Sequence, residues 1–218
     1  MSAITIGAVE RAVKTTAATV LRNEKYFSDL DALAGDGDFG ASLAAGFRVI
    51  EAELPSLDKS TIGAFLLKIS MIVTRHVGGS SGPLWGTAFM RAAMLCKDKT
   101  SITLADLEQI ATAAIDGIQQ RGGALPGDKT LIDVLIPVRD AIAAHAHGDG
   151  DNNAALRDAT AAAEEAAERA KPWVAKRGRQ QFTGDRSAGT PDPGMVAVAT
   201  ILRDLCTEFG VSQPKVSA

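Results

Sequence analysis

Three aspartates and three glycines crowd into one stretch, LDALAGDGDFGASL, at residues 30–43. Its spelling admits two chemistries. Gly35, Gly37 and Gly40 fit G-x-G-x-x-G, the turn that lays a dinucleotide pyrophosphate on a helix N-terminus. Asp31, Asp36 and Asp38 instead read as oxygen ligands for a hard cation. The dinucleotide reading needs a buried strand just before the glycines, and YFSDLDALA is neither β-branched nor continuously apolar. Acids within the turn would also repel the pyrophosphate. An EF-hand needs a bidentate glutamate at the twelfth position of its loop, and counting from Asp31 or Asp36 reaches Ser42 or Phe47. Both readings fail. What is left is either a Mg²⁺ site, completed by phosphate oxygens and water, or a solvated acidic turn.

Four other stretches bear on that choice. HVGGSSGPLWG (76–86) places Ser80 and Ser81 in a glycine turn whose Pro83 suits the first turn of a helix. Free amides and hydroxyls at such a start make an anion site, or simply a turn between helices. RGGALPGDKT (121–130) nearly spells a P-loop, but Asp128 separates Gly127 from the lysine and no strand precedes it. A capped helix start is the reading that survives. GRQQFTGDRSAG (178–189) carries guanidinium groups on a flexible loop, either a lid over phosphates or a solvated basic segment. Asp192-Pro193-Gly194 spells a helix cap followed by a first-turn proline.

The elements that must position these stretches are helices. Ile62, Phe65, Leu66, Ile69, Ile72 and Val73 recur at helical spacing, as do Leu131, Val134, Leu135, Val138 and Ile142, and Val198, Ile201, Leu202, Leu205 and Phe209. Thr103 with Asp106 spells a capping box. The periodicity predicts eight helices, at about 4–26, 40–54, 60–76, 83–97, 104–121, 129–147, 152–174 and 193–210, and no sheet. Mostly short connections favour antiparallel neighbours. Two segments read as linkers: 27–39, which holds the acids, and 175–191, which is long, polar and basic. The alanine-rich run 154–170 reads as a solvated surface helix.

Composition bounds the partners. The chain has 218 residues, 46% hydrophobic and 22% charged, with a net charge of −3. That is a soluble globular composition, expected to form one domain over 1–218, with no general basis for binding nucleic acid or an anionic membrane. No run approaches the ~20 apolar residues of a membrane span, and MSAITIGAVERAV meets charges too early for a signal peptide. Cys96 and Cys206 lie in apolar helical contexts and read as buried free thiols of a reducing compartment. The expectation is a cytoplasmic protein.

Taken together, LDALAGDGDFG, GGSSGPLWGT, RGGALPGDKTLIDVLIPV and GRQQFTGDRSAGTPDPG resemble, in order and spacing, the nucleotide-binding L subunit of dihydroxyacetone kinases. The resemblance covers essentially the whole chain. It implies an all-α, antiparallel eight-helix barrel with a nucleotide site at one end. It further implies two Mg²⁺ ions on Asp31, Asp36 and Asp38, bridging the phosphates of ADP or ATP. Around the nucleotide it places Phe39, Gly40, Ala41, Ser42, Ser80, Ser81, Gly122, Leu131, Arg179, Asp192, Pro193 and Gly194. The implied partner is a K-type subunit that holds a short ketose through a histidine. A phosphohistidine carrier recharges bound ADP in one branch of the family, while free nucleotide exchanges in the other.

Two departures stand out. Phe39 replaces a histidine frequent in the phosphotransferase-linked branch, and Ser42 replaces an asparagine. A chain without a K module points to that branch, whereas GDGDFG leans toward ATP-dependent or other-ketose relatives. The three histidines do not look like ketose holders: His145 and His147 flank a polar turn expected in solvent, and His76 ends a helix. The chain therefore reads as half of a kinase, acting on dihydroxyacetone or another small ketose such as a tetrulose. A phosphohydrolase using the same metal site and a non-enzymatic nucleotide-binding regulator are the rivals, and a homodimer is left open.

Overall fold

The computed structural model describes residues 3–214, and they are overwhelmingly helical. In chain order the helices are α1 (Ile6–Arg22), α2 (Glu24–Ala32), α3 (Phe39–Glu53), α4 (Ile62–His76), α5 (Ser81–Leu95), α6 (Leu104–Gly122), α7 (Leu131–Ala146), α8 (Asn152–Ala170) and α9 (Pro193–Glu208). Their starts follow elementary capping. Thr103 and Thr130 each close a capping box, with Asp106 and Asp133, and the Asp192 carboxylate accepts from the Met195 amide at 2.8 Å.

The packing follows the chain. α1 packs on α3, each helix from α3 to α8 packs on its successor, and α9 returns to α1. Eight helices thus close a ring, and α2 lies against α1, α3 and α9. Phe47, Phe65, Ile50, Ile62 and Ile69 fill the half of the core built from α3 and α4, all fully buried. Among the described residues no helix is long and apolar enough to cross a membrane.

Several expectations need correction. The helix predicted over 4–26 stops at Arg22, and the linker predicted from residue 27 begins as helix, since α2 runs to Ala32. Asn23 makes the break: its backbone leaves helical geometry at φ −103°, ψ 12°, while its side-chain amide donates to the Thr19 carbonyl at 2.8 Å. α2 restarts at once because fully buried Phe27 anchors it. A short antiparallel pair, β1 (Ile4–Thr5) with β2 (Ser101–Ile102), stands where no sheet was expected.

The alanine-rich helix is no surface element. Ala155, Ala159, Ala163, Ala166 and Ala170 of α8 are buried between α7 and α9. Alanine carries too little hydropathy to announce a core face, yet its single methyl lets helix backbones approach closely. The connection after it also has structure: short 3₁₀ turns occupy Arg179–Ser187, broken at Gly184. His145 is not in solvent either. Its two ring nitrogens lie 2.9 Å from Asp149 and Asp158, and these contacts raise its pKa, the hydrogen bond to Asp149 most.

Candidate functional site

Local sterics bring the three acids together. Asp31 ends the buried face of α2, Asp38 opens α3, and Asp36 lies in the turn between them. Gly37 holds φ at +76°, a conformation that L side chains rarely adopt. A Cβ on Gly35 would fall 2.1 Å from Asp31 Oδ1, so only glycine lets the turn close over that carboxylate. Each aspartate then offers one oxygen, and the three oxygens lie within 4.8 Å of one another. Burial, followed by the charges of Asp36 and Asp38, raises the Asp31 pKa. Burial and Asp36 raise that of Asp38. Like charges held this close favour protonation or a counter-ion. In this structure the counter-ion is Arg179, whose Nη1 sits 2.7 Å from Asp36 Oδ2. Hard oxygen donors so arranged fit a Mg²⁺ ion.

Beside the acids opens a cleft of about 760 Å³. The starts of four alternate helices meet there: Asp38, Phe39 and Ser42 of α3; Ser80 and Ser81 of α5; Thr130 and Leu131 of α7; and Asp192, Pro193 and Gly194 of α9. Alternation around a ring of helices puts every second N-terminus at one end. The first-turn amides of such helices carry partial positive charge. Ser80 does not cap α5 with its side chain, so that start keeps amides available for an anion, whereas in α3 the Phe39 amide donates to Asp31 Oδ2 at 3.3 Å and the Ala41 amide to Ser28 Oγ at 3.2 Å. Leu84, Trp85, Ile118 and Leu131 supply an apolar wall, and Arg177, Arg179 and Phe182 come in from the 3₁₀ segment and the residues before it.

Most residues expected at the site gather here, Gly122 among them. Asp36 joins through the carboxylate cluster. Gly40 and Ala41 do not line the cleft. Gly40 is pressed against α2, where a Cβ would meet the Glu24 carbonyl at 2.0 Å, and the Ala41 amide donates to Ser28 Oγ. Phe39 contacts the ring of Phe27, with centroids 6.4 Å apart.

Sequence reasoning passed over other groups. Lys129, spelled as in a P-loop that the strand requirement excludes, lines the cleft with a buried side chain. Burial holds its pKa below the ordinary lysine range. Burial also pushes Asp192 up to about 6. Gln180, buried at the cleft edge, has a side-chain oxygen with no hydrogen-bond partner among the described residues. Nothing in its neighbours GRQQ separates it from exposed Gln181.

Comparison with known proteins agrees with this geometry. The chain is 36% identical over 181 residues to the ADP-binding subunit of the PEP-dependent dihydroxyacetone kinase of Escherichia coli (strain K12), covering 83% of this chain and 86% of that one. It is also 36% identical over 186 residues to the L-erythrulose 1-kinase of Mycolicibacterium smegmatis, covering 84% of this chain but 32% of that longer protein. The crystal structure of the C. freundii dihydroxyacetone kinase in complex with AMP-PNP and Mg²⁺ superposes with a TM-score of 0.69 at 28% identity, over 93% of this chain and 34% of that one. The DAK2 domain matches residues 33–207, from the acidic turn to the last turn of α9, and this chain belongs to that family.

Proposed function

We propose that this chain is a single nucleotide-binding domain, the phosphoryl-transfer subunit of a cytoplasmic dihydroxyacetone kinase. It uses Mg²⁺ with ADP or ATP and acts on a ketose held by a separate K-type subunit. The observation that carries this reading is the meeting of opposite electrostatics in one cleft. Helix starts that attract anions face carboxylates that attract cations, and a metal–polyphosphate satisfies both.

In this reading Asp31, Asp36 and Asp38 hold two Mg²⁺ ions, which neutralise phosphate charge. The amides at the start of α5, with Ser80 and Ser81, receive phosphate oxygens. Arg179 exchanges Asp36 for a phosphate, where its planar fork donates two parallel bonds. Leu131 and the apolar wall pack against base and sugar. Little covalent work falls to the chain, and positioning and charge supply the rate. Either a phosphohistidine carrier recharges bound ADP or free ATP exchanges. The equal identity to an erythrulose kinase supports a tetrulose as the second candidate substrate.

Calorimetric titration of ADP with and without Mg²⁺ tests the reading. Wild type should bind ADP only weakly without Mg²⁺. Asp36→Asn and Asp38→Asn should each weaken Mg²⁺–ADP binding about tenfold or more. Both side chains are exposed, so thermal midpoints should stay close to wild type. Equal affinity with and without the metal would refute the assignment.

A further inference from the structure

The connection from α8 to α9 carries Arg177 and Arg179, and its neck is drawn together by one side chain. Lys129 precedes α7 and is 1% exposed. Its Nζ donates to the carbonyls of Lys171 at 3.2 Å, Trp173 at 3.0 Å and Ser187 at 2.6 Å. Two of these acceptors lie where the chain leaves α8, and the third lies where the 3₁₀ segment ends. An ammonium has three protons, and all three have carbonyl acceptors here. Lys129 is therefore no phosphate ligand, whatever its P-loop-like spelling. A cation buried among backbone dipoles is costly unless every donor is met, so the three carbonyls and the lysine fix one another.

Backbone geometry points the same way. Lys129 is the only non-glycine with positive φ among the described residues, at +62°. Such a conformation persists where surrounding structure over-determines it. Nearby bonds close the same neck. The Gly189 amide donates to the Lys171 carbonyl at 2.8 Å, and the Ala175 amide to Ser187 Oγ at 2.9 Å. From this closed neck the segment projects to the acids, where Thr183 Oγ1, which donates to the Gln180 carbonyl at 2.7 Å, lies 3.2 Å from the Ala34 carbonyl and Arg179 meets Asp36.

We infer that Lys129 is a positioning residue: it clamps both ends of the Arg179-bearing segment and so sets the guanidinium opposite the carboxylate cluster. Its bearing on nucleotide rests on the function proposed above, whereas the clamp itself can be read without any ligand.

The test uses the full chain as wild type, Lys129→Met, Lys129→Gln, Arg179→Ala and the double variant Lys129→Met/Arg179→Ala. Amide hydrogen exchange without ligand should speed up over 175–189 by about tenfold or more in Lys129→Met, and less in Lys129→Gln, which keeps an amide donor. α4 and α5 should exchange as in wild type. Mg²⁺–ADP affinity should fall in Lys129→Met and in Arg179→Ala, with the double variant no weaker than the weaker single one. Such non-additivity marks residues that act as a unit, and a merely structural lysine would not produce it. Unchanged exchange over 175–189 would overturn the inference, as would additive losses of affinity. If neither Lys129 variant folds, the lysine supports the whole fold rather than the segment, and the inference fails. If wild type binds no Mg²⁺–ADP, the nucleotide reading fails, while the exchange comparison still decides the clamp.

Discussion

Arg179 stands between two kinds of partner. In the structure it neutralises Asp36, and over a bound nucleotide it would instead meet phosphate oxygens. Lysine keeps the charge but not the planar fork. Arg179→Lys should therefore lower turnover clearly once the enzyme is assembled with its partner. Trypsin should cut the ligand-free chain after exposed Arg177, Arg179 or Arg186, and Mg²⁺ with ADP should slow that cut. Equal cleavage with and without nucleotide would strike Arg179 from the site. Residues at this scale differ in how openly the sequence displays them. The acids are legible because they and their glycines fit within ten positions, from Asp31 to Gly40. Lys129 is not, because its acceptors lie 42, 44 and 58 residues away and are backbone atoms with no spelling of their own.

Helices were legible where a hydrophobic stripe or a cap marks them, as in α4, α7 and α9. α2 was not, because EKYFSDLDA is rich in acids and one buried ring, Phe27, holds it in place. α8 was found but assigned to the wrong environment. Its buried methyls make a sharp expectation: Ala163, fully buried, has no room for a larger side chain. Ala163→Leu should cost about 1–3 kcal/mol through overpacking, read as a lowered denaturation midpoint, and an unchanged midpoint would restore the solvated reading. The α7–α8 turn adds a pH dependence. Asp149, then Asp158, raises the His145 pKa by hydrogen bonding. A raised histidine contributes its stability in full below its unfolded value, near 6.5, and loses it as pH climbs through the folded one. The melting temperature should therefore fall across that interval in wild type. His145→Gln should show a flatter profile, and an identical slope would remove His145 from the account.

For the whole molecule, the closed ring explains why the acids, the basic segment and four helix starts share one end. Consecutive helices turn back on each other, so alternate N-termini gather. That much follows from short connections and helix count, and the family resemblance supplied the closure into a barrel. In the reading proposed above, the ring builds the nucleotide site and a separate subunit supplies the ketose. The residues lining the cleft include serines, arginines and apolar side chains. His145 and His147 belong to the C-terminal end of α7, away from the Leu131 end that borders the cleft. A reacting hydroxyl must nonetheless be held in line with the terminal phosphate, because orientation supplies much of the rate in phosphoryl transfer. Asp36 and Phe182 are exposed, and on the proposed reading a partner subunit presents that hydroxyl. The chain alone, given ATP, Mg²⁺ and dihydroxyacetone, should accordingly form no ketose phosphate above background while still binding Mg²⁺–ADP. Adding a K-type subunit should restore transfer, with ATP alone if free nucleotide exchanges or with the phosphohistidine carrier if bound ADP is recharged, measured as ketose phosphate by mass spectrometry. Robust turnover by the isolated chain would mean that it holds the ketose itself, and the division into two subunits would have to be abandoned.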